Sequence, residues 1–461
     1  MSLTPQEAVE RGLAASGADG CIVLANHDAT TNLRWANNTL TTNGVTESLA
    51  VTVISKVDGA DGVRAASVSR NASSTDEVVA LVHEADAAAR ASSIADDAAP
   101  LIDGGASSDW DALPVEAPVG SLRGIAEWLG EIFQTARAAD QGRYGYAEHS
   151  IVTTYLGSTT GLRQRFAQPA VRLELTGRST DGKRSAWSGR GAAEVSAIDL
   201  ASIEADVAQR LKWSERQISL DAGRYPTILP PSAVADLMVY AHWSAGALDA
   251  HEGQSVFSKA GGGTRVGERL TDIPLTLRSD PAMPGQQCWP FVVAGASSRM
   301  SSVFDNGAPI SATDWIRDGE LSALIQTRHS AAVTGLPFTP GVDNLELVAP
   351  GGSASVSDLV ASTDRGLLLT CLWYIREVDP QTLLLTGLTR DGVFLVEGGE
   401  VVGAANNFRF NESPVGMLRR IAEVGRTEET LAREFGDYFT RTRMPALRVA
   451  DFNMSTVSQA S

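Results

Sequence analysis

The stretch from Gly223 to Phe257 reads GRYPTILPPSAVADLMVYAHWSAGALDAHEGQSVF, and the rest of the chain is organised around it. A proline-rich entry leads into apolar residues that recur at three- and four-residue steps, which predicts an amphipathic helix over residues 232–249. The predicted buried stripe of this helix comprises Val234, Leu237, Met238, Ala241, Ala245 and Leu248. We expect the helix to open a second domain and to mark the position of any chemistry.

The length of the chain and the position of its turn residues and prolines predict two domains. Its 461 residues exceed what one hydrophobic core usually supports. Turn residues and three prolines between Asp221 and Pro231 suggest a boundary there, giving domains at 1–221 and 222–461. The predicted fold class is α+β, with an N-terminal α/β domain around an antiparallel sheet. The C-terminal domain is predicted to be β-rich and barrel-like, because turn signals such as Gly261–Gly263 separate short apolar runs.

The net charge and the N-terminal composition indicate which classes of partner are excluded and which cellular compartment is expected. The net charge of -17 opposes phosphate backbones and anionic lipid headgroups, so we expect neither nucleic acid nor a membrane as a partner. The N-terminus has no basic and apolar leader pattern, and the three cysteines are too scattered for a disulfide framework. These features predict a soluble cytoplasmic protein.

Two antiparallel hairpins are predicted in the N-terminal half. Apolar and polar residues alternate from Leu33 to Val57, and Asn43-Gly44 is the strongest local turn signal there. Asp181-Gly182 marks a second turn, between strands near residues 170–176 and 185–193. Capping-box patterns at Thr4 and Ser74 predict two helix starts.

Few residues of the sequence are candidates for metal binding or catalysis. His242 lies just off the apolar stripe and His251-Glu252 follow the predicted helix, so one hypothesis is a metal site built from His242, His251 and Glu252. A nine-residue separation across a helix end does not by itself direct both imidazoles at one ion. The favoured interpretation is a hydrogen-bonded His at a helix border and a solvated loop His. Cys371 lies in an apolar, strand-like run and is predicted to be a core residue.

Short stretches with a recognisable order are spread over most of the chain: Arg34–Asn38, Gly223–Pro230, Gly253–Phe257, Ser302–Gly307, Asn344-Leu345 with Pro350-Gly351, Thr363–Leu368 and Phe394–Glu400. Each stretch is weak alone, but in this order they resemble the TldD/PmbA (TldE) family of the modulator-of-gyrase type. The resemblance implies a two-domain protein that forms half of a dimer.

In that family, one subunit type, TldD, carries HExxxH on the helix and a Cys near the C-terminus, and these bind zinc. The other type, TldE or PmbA, lacks the ligands and pairs with the first in a protease acting on unfolded peptides. Aligning this chain on Ser255–Phe257 places Met238 and Val239 at the first His and Glu, and Trp243 at the second His. None of the three has the required ligand or base chemistry, and residues 425–445 contain no Cys. We call Met238, Val239 and Trp243 the vacated positions.

The resemblance therefore implies a metal-free TldE/PmbA-like subunit that carries no cofactor itself, with zinc on an HExxxH-bearing, TldD-like partner. Whether this chain is itself an enzyme stays open. The expected substrate is an unfolded or extended peptide, and Arg365 and Arg390 are candidate peptide contacts. Two alternatives remain: a metallopeptidase acting alone through an unorthodox site, and a homodimeric peptide-binding or scaffold protein without catalysis.

Overall fold

The N-terminal half forms four α-helices and six strands in the computed structural model, which describes residues 3–458. The capping boxes at Thr4 and Ser74 are both present, which confirms the two predicted helix starts. The elements are α1 (Pro5–Ala15), β1 (Gly20–Ala36), β2 (Thr39–Gly59), β3 (Gly62–Asn71), α2 (Thr75–Ala91), α3 (Arg123–Ala138), β4 (Gln141–Ser158), β5 (Arg163–Ser179), β6 (Ser185–Ala192) and α4 (Leu200–Trp213).

The six strands form one antiparallel sheet in the order β3-β2-β1-β4-β5-β6. Alternate residues of β1 point to opposite faces of the sheet. Cys21, Val23 and Leu33 lie in the apolar clusters formed with the four helices, so α1 to α4 share one face. Ile22 and Leu24 point the other way, into a cluster shared with the C-terminal half.

The first hairpin turns at a different place from the one predicted. Asn37 and Asn38 have positive φ values of 47° and 60° and connect β1 to β2, the backbone that a two-residue type I′ turn requires. Asn43 and Gly44 instead lie inside β2, paired with Leu33 and Asn32. Asn38 is fixed by tertiary contacts, because its Oδ1 accepts from the Arg143 N–H at 2.7 Å. The second predicted turn is confirmed at Gly182, with φ 72°.

The C-terminal half is β-rich. Its elements are β7 (Gln217–Ile218), β8 (Gly223–Leu229), α5 (Pro231–Trp243), α6 (Ala247–His251), β9 (Thr276–Ser279), β10 (Thr313–Arg317), β11 (Glu320–Leu321), α7 (Arg328–Thr334), β12 (Leu345–Val348), α8 (Val356–Ala361), β13 (Arg365–Leu369), β14 (Leu372–Asp379), β15 (Leu384–Thr389), β16 (Val393–Glu397), β17 (Glu400–Ala405), β18 (Phe408–Glu412), α9 (Pro414–Met417), β19 (Ile421–Thr430) and β20 (Thr442–Val457). These strands join in one mixed sheet, in which β8–β13, β12–β20 and β7–β17 are parallel pairs.

Helix α5 lies in the core of this half and packs against β8, β19 and β20. It is shorter than predicted and is not amphipathic. Residues 233–239 are all buried, so the helix is enclosed on every side instead of along one stripe. It ends at Trp243 because the chain then forms a bridge between Gly246 and Ile325, and the Ile325 N–H donates to the Ala245 carbonyl at 2.8 Å. A separate short helix, α6, follows.

The two halves share an apolar interface. Ile22 and Leu24 of the N-terminal sheet contact the cluster that contains Phe291 and Phe304. Trp289 adds a hydrogen bond from its Nε1 to Thr154 Oγ1 at 3.1 Å. The boundary near residue 222 stays a prediction. Among residues 3–458, no helix is long and apolar enough to span a membrane.

Candidate functional site

The vacated positions, Met238, Val239 and Trp243, lie on α5, and their side chains pack against other apolar side chains. Met238 and Val239 are fully buried in the main core of the C-terminal half. Trp243 is half-buried, and its ring meets Phe435 edge-on at a centroid distance of 5.1 Å. These side chains contribute apolar contacts at the positions where the family resemblance implies the imidazole and carboxylate groups of a zinc site.

Residues 431–441, which we call the aromatic segment, cover α5 from outside. Phe435 contacts Tyr240 at 5.7 Å as well as Trp243, and Phe439 lies 6.2 Å from the Trp243 ring. Both phenylalanines are buried. This segment lies in the part of the chain where the family resemblance implies a ligating Cys, and aromatic rings occupy its contact with the helix.

A fully buried carboxyl anchors the segment to the helix. Asp236 Oδ1 accepts a hydrogen bond from the Glu434 N–H at 2.8 Å, while Oδ2 has no hydrogen-bond partner among the described residues. Burial raises the pKa of Asp236 well above its ordinary value, and the nearby Arg433 only partly opposes this rise. Arg433 stacks over Trp373, 3.7 Å from the ring centroid. The contact between helix and segment is therefore both polar and aromatic.

His242 is enclosed by aromatic rings. Its imidazole lies 4.9 Å from Trp315 and 6.1 Å from Phe439, measured between ring centroids. Burial lowers the pKa of His242 to about 4, and the buried Nδ1 atom has no hydrogen-bond partner among the described residues. The side chain is therefore neutral near pH 7.

The structure does not bring His242 together with His251 and Glu252. Glu252 is exposed and pairs with Arg299 at 2.5 Å, and His251 ends α6. Across residues 3–458, no three His, Cys, Asp or Glu side chains are grouped as metal ligands would be. The residues at the vacated positions also lack ligand chemistry, so this chain does not fit a zinc ion there.

A cavity of about 300 Å³ opens beside the end of α5. Its wall is mostly apolar, and its two acidic residues are both paired: Asp305 with Arg328 at 2.6 Å and Asp343 with Gln168 at 2.8 Å. Residues that contribute to the wall include His242, Trp243, Trp289, Phe291, Met300, Tyr438 and Phe439. A cavity of this kind suits an uncharged apolar side chain.

The two arginines predicted as peptide contacts lie at strand ends, Arg365 at the start of β13 and Arg390 directly after β15. Arg365 at the start of β13 is exposed and lies 3.4 Å from Glu397. Arg390 lies 3.9 Å from Asp391 and over the Trp373 ring. Both already have local partners, and their role toward a peptide stays a prediction. Cys371 is buried, as predicted, and burial raises the pKa of its thiol.

Sequence reasoning missed the aromatic residues of this site. Phe435 and Phe439 lie within residues 425–445, where the family resemblance implies a Cys and draws no attention to aromatic residues. Their four-residue spacing was a signal that both rings point the same way. Trp289 gave no signal, because its place in the cavity depends on contacts with the N-terminal sheet.

Comparisons with known proteins agree with this architecture. A family model described as the PmbA/TldA metallopeptidase C-terminal domain matches residues 222–456, just over half of the chain. Among curated protein sequences, none matches.

Three solved structures share the fold over nearly their whole length. TldE from Thermococcus kodakarensis is 17% identical with a TM-score of 0.75, covering 96% of this chain and 98% of that one. A putative modulator of DNA gyrase from Bacteroides thetaiotaomicron is 14% identical with a TM-score of 0.74, covering 98% of each chain. A second putative modulator, from Thermotoga maritima, is 15% identical with a TM-score of 0.73, covering 97% and 99%.

The fold and the matched domain define a two-domain, metallopeptidase-related protein. The chain belongs to the PmbA/TldD family.

Proposed function

We propose that this chain is the metal-free, TldE/PmbA-like subunit of a heterodimeric zinc metallopeptidase that processes or degrades unfolded peptides in the cytoplasm. The observation that carries the proposal is the packing of α5: Met238 and Val239 are core residues, and Trp243 is held by Phe435 and Phe439. A zinc site at these positions requires ligands that the chain does not have.

In this proposal, zinc and the HExxxH helix belong to a TldD-like partner, and this chain contributes a surface that binds the peptide. Its mostly apolar cavity beside α5 receives an uncharged side chain of the peptide, because both acidic residues in the wall are already paired. Arg365 and Arg390, at strand ends, hold the peptide backbone or its carboxylate by charge-assisted hydrogen bonds.

Co-expression with an HExxxH-bearing family member from the same organism tests the proposal. We expect a 1:1 complex with one zinc per heterodimer, and we expect that zinc to disappear when the partner's first His is replaced by Ala. As the matched control, His242→Phe in this chain should leave the zinc content unchanged. Stoichiometric zinc on the isolated chain would favour a metallopeptidase that acts alone. Failure to form the complex, with no gain of peptidase activity, would favour a homodimeric binding protein.

A further inference from the structure

A groove of about 700 Å³ lies between the loop that follows α6 and the part of the chain around α9. Its floor is apolar, because Val256, Leu270 and Val415 contribute to it and all three are buried. We call it the basic groove after the three basic residues of its wall, which are Lys259, Arg265 and Arg419. A concave surface with an apolar floor and a few charged groups is typical of a ligand site.

The charges of the wall do not cancel. Glu268 is the one carboxylate among the described wall residues, and it pairs with Arg265 at 2.9 Å. Lys259 contacts no carboxylate of the described residues, and the Arg419 side chain donates only to the Leu270 carbonyl, at 3.3 Å. Both side chains are exposed. The groove therefore presents two uncompensated cations, in a chain whose net charge is -17.

Two carboxylates that are close in sequence to the wall are already occupied. Asp379 accepts from the Gln381 N–H at 3.1 Å and from the Thr382 hydroxyl at 2.6 Å, one bond to each oxygen. Glu412 pairs with Arg420 at 2.6 Å. Neither carboxylate neutralises Lys259 or Arg419, so these two cations are open to an anionic ligand.

The basic groove adjoins the vacated end of α5. Trp243 contributes both to the apolar cavity beside α5 and to a second cavity of about 560 Å³. Gln381 contributes to that second cavity and to the basic groove. Because neighbouring cavities share a wall residue, an extended chain that enters the apolar cavity can continue along the surface into the basic groove.

We infer that the basic groove binds a carboxylate of an extended peptide whose apolar side chain occupies the cavity beside α5. The carboxylate belongs to an Asp or Glu side chain of the peptide or to its C-terminus. Lys259 and Arg419 hold it by charge-assisted hydrogen bonds. The inference rests on the proposed function in that the ligand is a peptide, and it adds that this chain selects peptides by their charge.

Calorimetric titration of the isolated full chain with three short peptides tests the inference. The peptides are N-acetylated, share one phenylalanine and differ only in charge: one has a Glu and an amidated C-terminus, one has Gln and a free C-terminal carboxylate, and one has Gln and an amidated C-terminus. We expect an acidic peptide to bind about tenfold more tightly than the uncharged one. Raised salt should reduce this advantage.

The comparison of the two acidic peptides identifies the source of the carboxylate, because the one that binds more tightly carries it in the preferred place. Equal affinity for all three peptides overturns the inference. So does a parent chain that binds none of them.

The double variant Lys259→Gln/Arg419→Gln should lose the preference for the acidic peptide and keep its affinity for the uncharged one. The matched control is Lys212→Gln/Arg216→Gln, which removes the same two charges from exposed side chains at the end of α4 and just after it. The control should bind like the parent. Equal weakening of the two variants, or a parallel loss of affinity for the uncharged peptide, overturns the inference.

Charge reversal provides the second readout. Lys259→Glu/Arg419→Glu should bind a peptide with Lys in place of Glu more tightly than the acidic peptide, and circular dichroism checks that the variant is folded. An unchanged preference for the acidic peptide overturns the inference. Zinc content and complex formation with an HExxxH-bearing partner do not depend on these side chains, so the inference and the proposed function fail in different measurements.

Discussion

Asn38 shows how a single side chain fixes the first hairpin. Its backbone is left-handed, with φ 60°, and its side chain both accepts from Arg143 N–H and donates to the Gln141 carbonyl at 2.8 Å. Asparagine tolerates this conformation better than other residues with a Cβ. The turn is therefore held by local preference and by tertiary hydrogen bonds together.

Asn38→Ala should destabilise the protein by about 2–4 kcal/mol, because it adds backbone strain and leaves the buried Arg143 N–H without its acceptor. Asn38→Gly removes the same hydrogen bonds but permits the positive φ, so it should cost less. Urea denaturation of both variants measures the difference. Equal losses would show that the left-handed backbone contributes nothing.

His242 should make the protein less stable in mild acid. Its folded pKa of about 4 lies below the ordinary 6.5, so the unfolded chain binds the proton first as the pH falls. The stability that this group contributes is present above pH 6.5 and is lost as the pH falls toward 4, amounting to about 3 kcal/mol.

The comparison variant is His242→Phe, which keeps a ring among Trp315 and Phe439 but does not titrate. Between pH 7 and pH 4, the free energy of unfolding of the parent should fall relative to the variant by that amount. Parallel pH profiles for the two proteins would contradict the buried, neutral imidazole.

At the scale of elements, α5 and the aromatic segment form one packed unit. Phe435 is buried between Tyr240 and Trp243, whereas Tyr438, three residues on, is 77% exposed. Asp236 ties the segment to the helix through the Glu434 N–H. The helix is thus covered by a segment of its own chain at the places where the family resemblance implies metal ligands.

Phe435→Ala should cost about 3–4 kcal/mol, because a large buried ring is lost and a cavity remains. Tyr438→Ala removes a similar ring from solvent and should change stability by no more than about 0.5 kcal/mol. Urea denaturation followed by tryptophan fluorescence reports both variants. A small effect of Phe435→Ala would mean that the segment is only loosely attached to α5.

The sequence predicts the elements whose signals are local. Capping boxes at Thr4 and Ser74 and the turn at Asp181-Gly182 need only neighbouring residues, and all three are confirmed. The first hairpin turn was misplaced, because Asn43-Gly44 has the stronger local signal but the contacts of Asn38 with residues about a hundred positions away decide the turn.

The end of α5 differs from the prediction because it, too, is decided by a contact between distant residues. The apolar period continues to Leu248, but the bridge between Gly246 and Ile325 stops the helix at Trp243. Composition cannot reveal such a contact between distant segments. At the candidate site, the absence of HExxxH could be read from the sequence, while the rings of Phe435 and Phe439 against α5 could not.

At the scale of the whole molecule, the aromatic segment also joins the two halves. Arg441 at its end is buried, donates to the Gln287 carbonyl at 3.0 Å and reaches the Pro169 carbonyl of the N-terminal sheet. Asp343 accepts from both Arg441 and Gln168. The packing of α5 and the placement of the two halves are therefore linked through one short segment.

The most direct test of the central claim is a peptidase assay on a disordered polypeptide with three samples: the isolated chain, the isolated HExxxH-bearing partner, and an equimolar mixture, each with its zinc content measured. We expect no turnover and no stoichiometric zinc for the isolated chain, and activity of the mixture above that of the partner alone. Zinc-dependent hydrolysis by the isolated chain would contradict a metal-free, non-catalytic subunit.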